Sequence, residues 1–149
     1  MSGAVLLVED ARWRSHRGLQ ARLKLAAETA RRAAKLKGGF SILLADDKTL
    51  RRLNRDFRAA DKSTNVLSFP AATPAYGGDI AIAYGVTRRE AKAAGKNFAD
   101  HAVHLAVHGV LHLAGHDHQR PKDAKVMEAL EVKILARFGI ADPYVIMPK

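Results

Sequence analysis

Six of the seven histidines in this 149-residue chain fall between positions 101 and 118. The densest stretch, His108 to His118, reads HGVLHLAGHDH. His108 and His112 are four residues apart. On a helix that spacing stacks two imidazoles on one face, about 6 Å apart along the axis. Two rings so placed can converge on one ion, as in the HExxH zinc helix. Gly115 stands where a left-handed residue ends a helix and lets the chain reverse. Beyond that turn, either His116 or His118 can swing back and supply a third nitrogen. Three imidazoles leave a fourth position free, the pattern of a catalytic rather than a structural zinc site. Imidazole suits zinc and other late first-row metals, so the expected cofactor is one zinc ion or another divalent ion in its place.

The remaining histidines carry less. His101 and His104 share the broad face of His108 and His112. A single core histidine is normally just hydrogen-bonded, so His104 is expected to support the site through a hydrogen bond rather than as a ligand. His16, in a basic N-terminal stretch, is expected on the surface. Position 109 is Gly, where the HExxH pattern has Glu. The usual general base of a metallopeptidase is therefore missing.

These side chains need elements to hold them. Phe98 to Leu113 is the most apolar stretch at helical spacing and carries the histidines. A second basic amphipathic helix is expected over Gly18 to Lys37, with Leu19, Leu23, Ala26, Ala27, Ala30 and Ala34 facing inward. Shorter helices are expected at Thr49 to Phe57, capped by Asp46 or Asp47, and at Thr87 to Ala94. The last, Asp123 to Phe138, places Val126, Met127, Leu130, Ile134 and Leu135 on one face. Strands are expected at Ala4 to Val8, Phe40 to Ala45, Asn65 to Phe69 (stopped by Pro70) and Asp79 to Ala83. The order β, α, β, α, β, β, α, α, α points to an α+β fold. It would have a small mixed sheet of about four strands packed with helices, and a metal-binding helix followed by a ligand-bearing loop.

Lys and Arg total 25 against 15 Asp and Glu, a net charge of +10. That excess favours a polyanionic partner, nucleic acid first and an anionic membrane surface second. Cysteine is absent. That excludes disulfides and thiolate ligands and suits a reducing cytoplasm. The short apolar run Val5 to Val8 is followed at once by Glu9 and Asp10, unlike a signal peptide. No apolar run has the length of a membrane span. The expected setting is soluble and cytoplasmic.

HGVLHLAGHDH resembles the signature HGxLHLxGxDH of the YbeY family, bacterial rRNA maturation factors described as single-strand endoribonucleases. The match falls on His108, Gly109, Leu111, His112, Leu113, Gly115, Asp117 and His118. LNRDFRAADKSTNVLSFP, Leu53 to Pro70, is similar to the family's LNxxFRxxDxxTDVLSFP, with Asn65 where Asp is also common. GDIAI, Gly78 to Ile82, and the stretch from Met127 through GIADPY are similar as well. Gln119 departs from the acidic residue many relatives carry. The resemblance implies that His118 rather than His116 is the third ligand, and that Arg58 is the functional arginine. It implies a single metal-dependent hydrolase domain over residues 1–149, cleaving RNA phosphodiester bonds in rRNA maturation and ribosome quality control. Its partners would be an rRNA precursor, the small ribosomal subunit and its proteins. An arginine at position 58, beside a loop entering a strand, could clamp a phosphate bidentately. Two rivals stand beside this reading. One is a metal hydrolase of another class, such as a peptidase, against which Gly109 and the charge both count. The other is a non-catalytic assembly factor whose zinc is structural, which would need a fourth protein ligand.

Overall fold

The computed structural model describes residues 3–73 and 75–144. Four strands, β1 (Ala4–Val8), β2 (Gly39–Ala45), β3 (Val66–Pro70) and β4 (Tyr76–Ala83), form one sheet in the order β1-β2-β4-β3. The pairs β1·β2 and β2·β4 are parallel, while β3 runs antiparallel to β4. The sheet is therefore mixed, and the α+β expectation holds. Five helices accompany it: α1 (Leu19–Ala33), α2 (Asp47–Arg58), α3 (Tyr84–Ala93), α4 (Phe98–Leu113) and α5 (Pro121–Ala136).

Strand alternation divides the core in two. Phe40, Ile42, Leu44, Ile80 and Ile82 join Leu23, Val103, Val107 and Leu111 of α1 and α4 in the larger cluster. Ala45, Ala81 and Ala83 turn the other way, onto Leu50 and Leu67 beside α2. Helix α4 is thus pressed on the sheet by its apolar residues. Its histidine face is left for α5, the β3 edge and the loop beyond.

Several boundaries differ from the sequence expectation, each for a local reason. Helix α1 ends at Ala33 rather than Lys37, because Lys35 takes a left-handed φ of 58°. Asp46, not Asp47, caps α2: its carboxylate accepts from the Thr49 N–H at 2.8 Å. Strand β4 begins at Tyr76, ahead of Asp79, and β3 runs through Pro70 instead of stopping before it. Because β3 is an edge strand, Pro70 is tolerated within it. Helix α3 starts at Tyr84, directly from β4. Helix α5 starts at Pro121, which fits the first helical position, where no N–H is needed. Its inward face is rotated from the expected one. Val126 is exposed, and Glu131 is buried beside Met127, Ile134 and Leu135. A short 3-10 helix, Ala11–Ser15, was not anticipated by the periodicity.

Candidate metal centre and its cleft

The site is built from the end of α4. The helix has the expected bounds, Phe98–Leu113, with Asn97 accepting from the Asp100 N–H as its cap. Beyond Leu113 the backbone makes a paired closure: the Gly115 N–H donates to the His112 carbonyl and the His116 N–H to that of Leu111, both at 3.0 Å. Gly115 adopts a φ of 97°, which the reversal requires. Asp117 then accepts from the backbone N–H groups of His118 and Gln119, at 2.6 and 3.1 Å, and fixes the next turn. The chain is thereby folded back over the last turn of α4.

Three imidazoles meet there. The Nε2 atoms of His108 and His112 lie 3.0 Å apart. The His118 ring centre is 5.4 Å from that of His108 and 5.0 Å from that of His112. One ligand atom from each lies within 4.8 Å of the others. A tetrahedral ion with metal–nitrogen distances of about 2.0–2.1 Å sets its ligand nitrogens roughly 3.3 Å apart, so the donor set suits such an ion. Among the described residues no fourth histidine or carboxylate joins this group. Of the two histidines that spacing left open, His118 has its ring beside those of His108 and His112, while the His116 backbone N–H belongs to the helix closure. Burial, and then the nearby His108 and His118, lowers the His112 pKa to about 4. Its imidazole is therefore a neutral lone-pair donor near neutral pH, as metal binding requires.

Arg58 lies in the same cleft. This cavity, about 610 Å³, is lined by Arg58, the β3 stretch through Ser68, His108, His112, Asp117 and His118. Arg58 is the last residue of α2. Its guanidinium donates to the Ser68 carbonyl and lies 5.5 Å from the centre of the Phe69 ring. The Ser68 hydroxyl donates to the Gly109 carbonyl at 3.0 Å. One residue of β3 thus ties the arginine and the metal-side helix to a common frame.

The other histidines are accounted for. His104 Nε2 donates to a Glu131 oxygen at 3.0 Å. His101 shares Glu90 with Asn65, each at 3.0 Å from the same oxygen. Burial lowers the His101 pKa below its ordinary value, outweighing Glu90. His16 corrects the expectation of a surface residue. It is half-buried, stacked on Phe98 at 4.4 Å and hydrogen-bonded to the Tyr84 hydroxyl at 2.8 Å. Glu131 is the residue that sequence reasoning missed. Burial opposes its ionisation, but hydrogen bonds from His104, His108 and Tyr144 prevail and lower its pKa to about 2. The one available signal was an acidic residue on the inner face of α5, three residues ahead of Ile134.

The model of the family described as "Endoribonuclease YbeY" matches residues 9–139. The chain belongs to the YbeY family. Among curated relatives, the endoribonuclease YbeY of Chelativorans sp. (strain BNC1) is 50% identical over 135 residues, covering 86% of this chain and 82% of the relative. That of Gluconobacter oxydans (strain 621H) is 41% identical over 148 residues, covering 96% and 88%. The solution structure of TM1509 from Thermotoga maritima covers 96% of this chain and 99% of its own, with a TM-score of 0.59 at 20% identity. That likeness bears on the fold. Within the YbeY frame, the histidine group and Arg58 occupy one cleft. Among the described residues no helix is long and apolar enough to cross a membrane.

Proposed function

We propose that this chain, an endoribonuclease of the YbeY family, is metal-dependent and single-strand-specific and acts in small-subunit rRNA maturation and ribosome quality control in the cytoplasm. The observation that carries this reading is the cleft itself: three imidazoles facing one point, with an arginine on the same walls. Family membership supports RNA as the substrate. The net charge of +10 supports a polyanionic partner, an rRNA precursor held on the small ribosomal subunit.

His108, His112 and His118 would hold one zinc ion. When bound, such an ion supplies Lewis-acid polarisation of a phosphoryl oxygen and lowers the pKa of a water. The rest belongs to the chain. Arg58 anchors its guanidinium on the Ser68 carbonyl; its other N–H groups, which have no partner among the described residues, would grip a phosphate. It thereby positions the scissile group and meets charge that develops on it. Residues Thr64 to Ser68 form the wall along which a single strand would lie.

Chelation tests the metal-dependent part. Protein stripped of metal should lose cleavage of single-stranded RNA and regain it with one equivalent of zinc. Peptides assayed alongside should remain intact. RNA cleavage that persists in metal-free, nuclease-free protein would sink the reading. A second expectation separates Arg58 from the metal. Arg58→Ala should lower RNA cleavage by about 100-fold or more, the scale of losing a donor aimed at developing charge. Zinc affinity should be unchanged. Arg58→Lys should recover only part of the rate, because an ammonium cannot grip phosphate bidentately. Turnover within a few-fold of wild type in Arg58→Ala would remove the arginine from the mechanism.

A further inference from the structure

Glu131 is the most unusual charge in the molecule. Its side chain is fully buried on α5, against the histidine face of α4. A buried carboxylate costs several kcal/mol unless it is paired and hydrogen-bonded. Here every contact is specific. Oε2 accepts from His108 Nδ1 at 2.9 Å and from His104 Nε2 at 3.0 Å. Oε1 accepts from the Tyr144 hydroxyl at 2.7 Å.

The His108 contact has a consequence for the other side of that ring. A carboxylate has no proton to give, so the proton in this bond sits on His108 Nδ1. Nε2 is then left with a lone pair. Nε2 is also the atom that lies 3.0 Å from His112 Nε2, at the centre of the imidazole group. A free imidazole has no such constraint. The carboxylate also raises the electron density of the ring it accepts from, which strengthens Nε2 as a donor.

We propose that Glu131 is a positioning residue that locks His108 in the Nδ1–H tautomer and aims its Nε2 at the metal position, with His104 and Tyr144 clamping the carboxylate. This deepens the metal-centre reading and rests on it. His104 fits the clamp. Its Nε2 is spent on Glu131, and its Nδ1 is buried with no partner among the described residues. The competing arrangement is a second ion between His104, His108 and Glu131, whose ligand atoms also lie within 4.8 Å of one another. That ion would have to displace two protons from the one Glu131 oxygen that already accepts from both rings. A second ion would also need His108 to bridge two metals through both ring nitrogens.

The test uses cobalt(II) as a spectroscopic stand-in for zinc. Wild type, Glu131→Gln, Glu131→Ala and Tyr144→Phe would be titrated against a competing chelator. Wild type should bind one ion per chain. Glu131→Gln should bind it roughly 10–100-fold more weakly, with a shifted visible spectrum. Glu131→Ala should bind more weakly still, and Tyr144→Phe several-fold more weakly than wild type. Nitrogen-15 spectra of the metal-free wild type should show His108 protonated at Nδ1, and those of Glu131→Gln should show the proton moving towards Nε2. A merely structural glutamate would lower the melting temperature without changing the tautomer or the affinity of the folded fraction. Unchanged affinity in Glu131→Gln, or an Nε2–H tautomer in wild type, overturns the proposal while leaving the metal centre standing. Two ions per wild-type chain overturn it in favour of the second site. No cobalt bound by wild type overturns the metal centre itself, and this inference with it. If both Glu131 variants fail to fold, the wild-type tautomer and Tyr144→Phe decide; wild-type affinity in Tyr144→Phe then counts against the clamp.

Discussion

His112→Ala will abolish both metal retention and RNA cleavage while the chain stays folded. His112 is half-buried on the cleft side of α4, and its Nε2 lies 3.0 Å from that of His108. The packing of α4 on the sheet rests on other residues, among them Val103, Ala106, Val107, Val110 and Leu111. Alanine is also the best helix former, so the substitution should cost no more than about 1 kcal/mol of stability. The effect on the site is far larger. Losing an outer hydrogen-bond partner of a ligand costs roughly 10–100-fold in affinity. Losing one of three ligands outright should exceed that, leaving two nitrogens to hold the ion. Zinc content, a chelator-competition affinity and a thermal melt separate the two effects. The melt should stay within a few degrees of the metal-free wild type. RNA cleavage should fall to background. Full activity in a folded His112→Ala protein would rule out metal-dependent catalysis at this site.

The same residues show how far the sequence reaches. Helix α4 was legible to its last residue, because an apolar run at helical spacing ends ahead of Gly115; the Asn97 cap is seen only in the structure. His108 and His112 follow directly from that helix. The third imidazole did not. His116 and His118 both stand past the turn, and only the helix closure at His116 and the Asp117 turn decide which ring returns. Family resemblance supplied His118 because it carries three-dimensional information that spacing lacks. Arg58 was legible only in that way, since Lys and Arg number 25 and nothing local singles one out. Glu131 escaped altogether. Its partners are 23 and 27 residues away on another helix, and an acid among apolar residues reads as solvent-facing until its neighbours are known. The error over Val126 has the same origin. The periodicity of α5 admits a rotation of the inward face, and the burial of Glu131 sets it.

Gly109→Glu will unfold or severely destabilise the protein instead of giving it peptidase chemistry. Position 109 follows the first metal-side histidine, where the HExxH pattern keeps its base. In this helix it faces the sheet. A Cβ there would lie 3.0 and 3.2 Å from the Ile80 side chain and 3.2 Å from the Ser68 hydroxyl oxygen. Alanine would meet those contacts by small shifts and gain up to about 1 kcal/mol in helix propensity, so Gly109→Ala should be close to neutral. Glutamate adds a carboxylate against the Ile80 side chain. An uncompensated buried charge costs about 3–5 kcal/mol, a large share of the stability of a domain this size. It would also push β3 away and break the Ser68–Gly109 hydrogen bond, taking with it the carbonyl that holds Arg58. Thermal and denaturant melts of the three proteins measure this, with Gly109→Ala as the control for packing alone. A Gly109→Glu protein melting within a few degrees of wild type would show that the side chain reaches the cleft. The absent base then has a packing cause. The glycine lets α4 approach β3 and β4 closely, and that approach brings His108 to the wall that carries the Arg58 anchor. A side chain at position 109 would separate the two halves of the cleft before it could act in it.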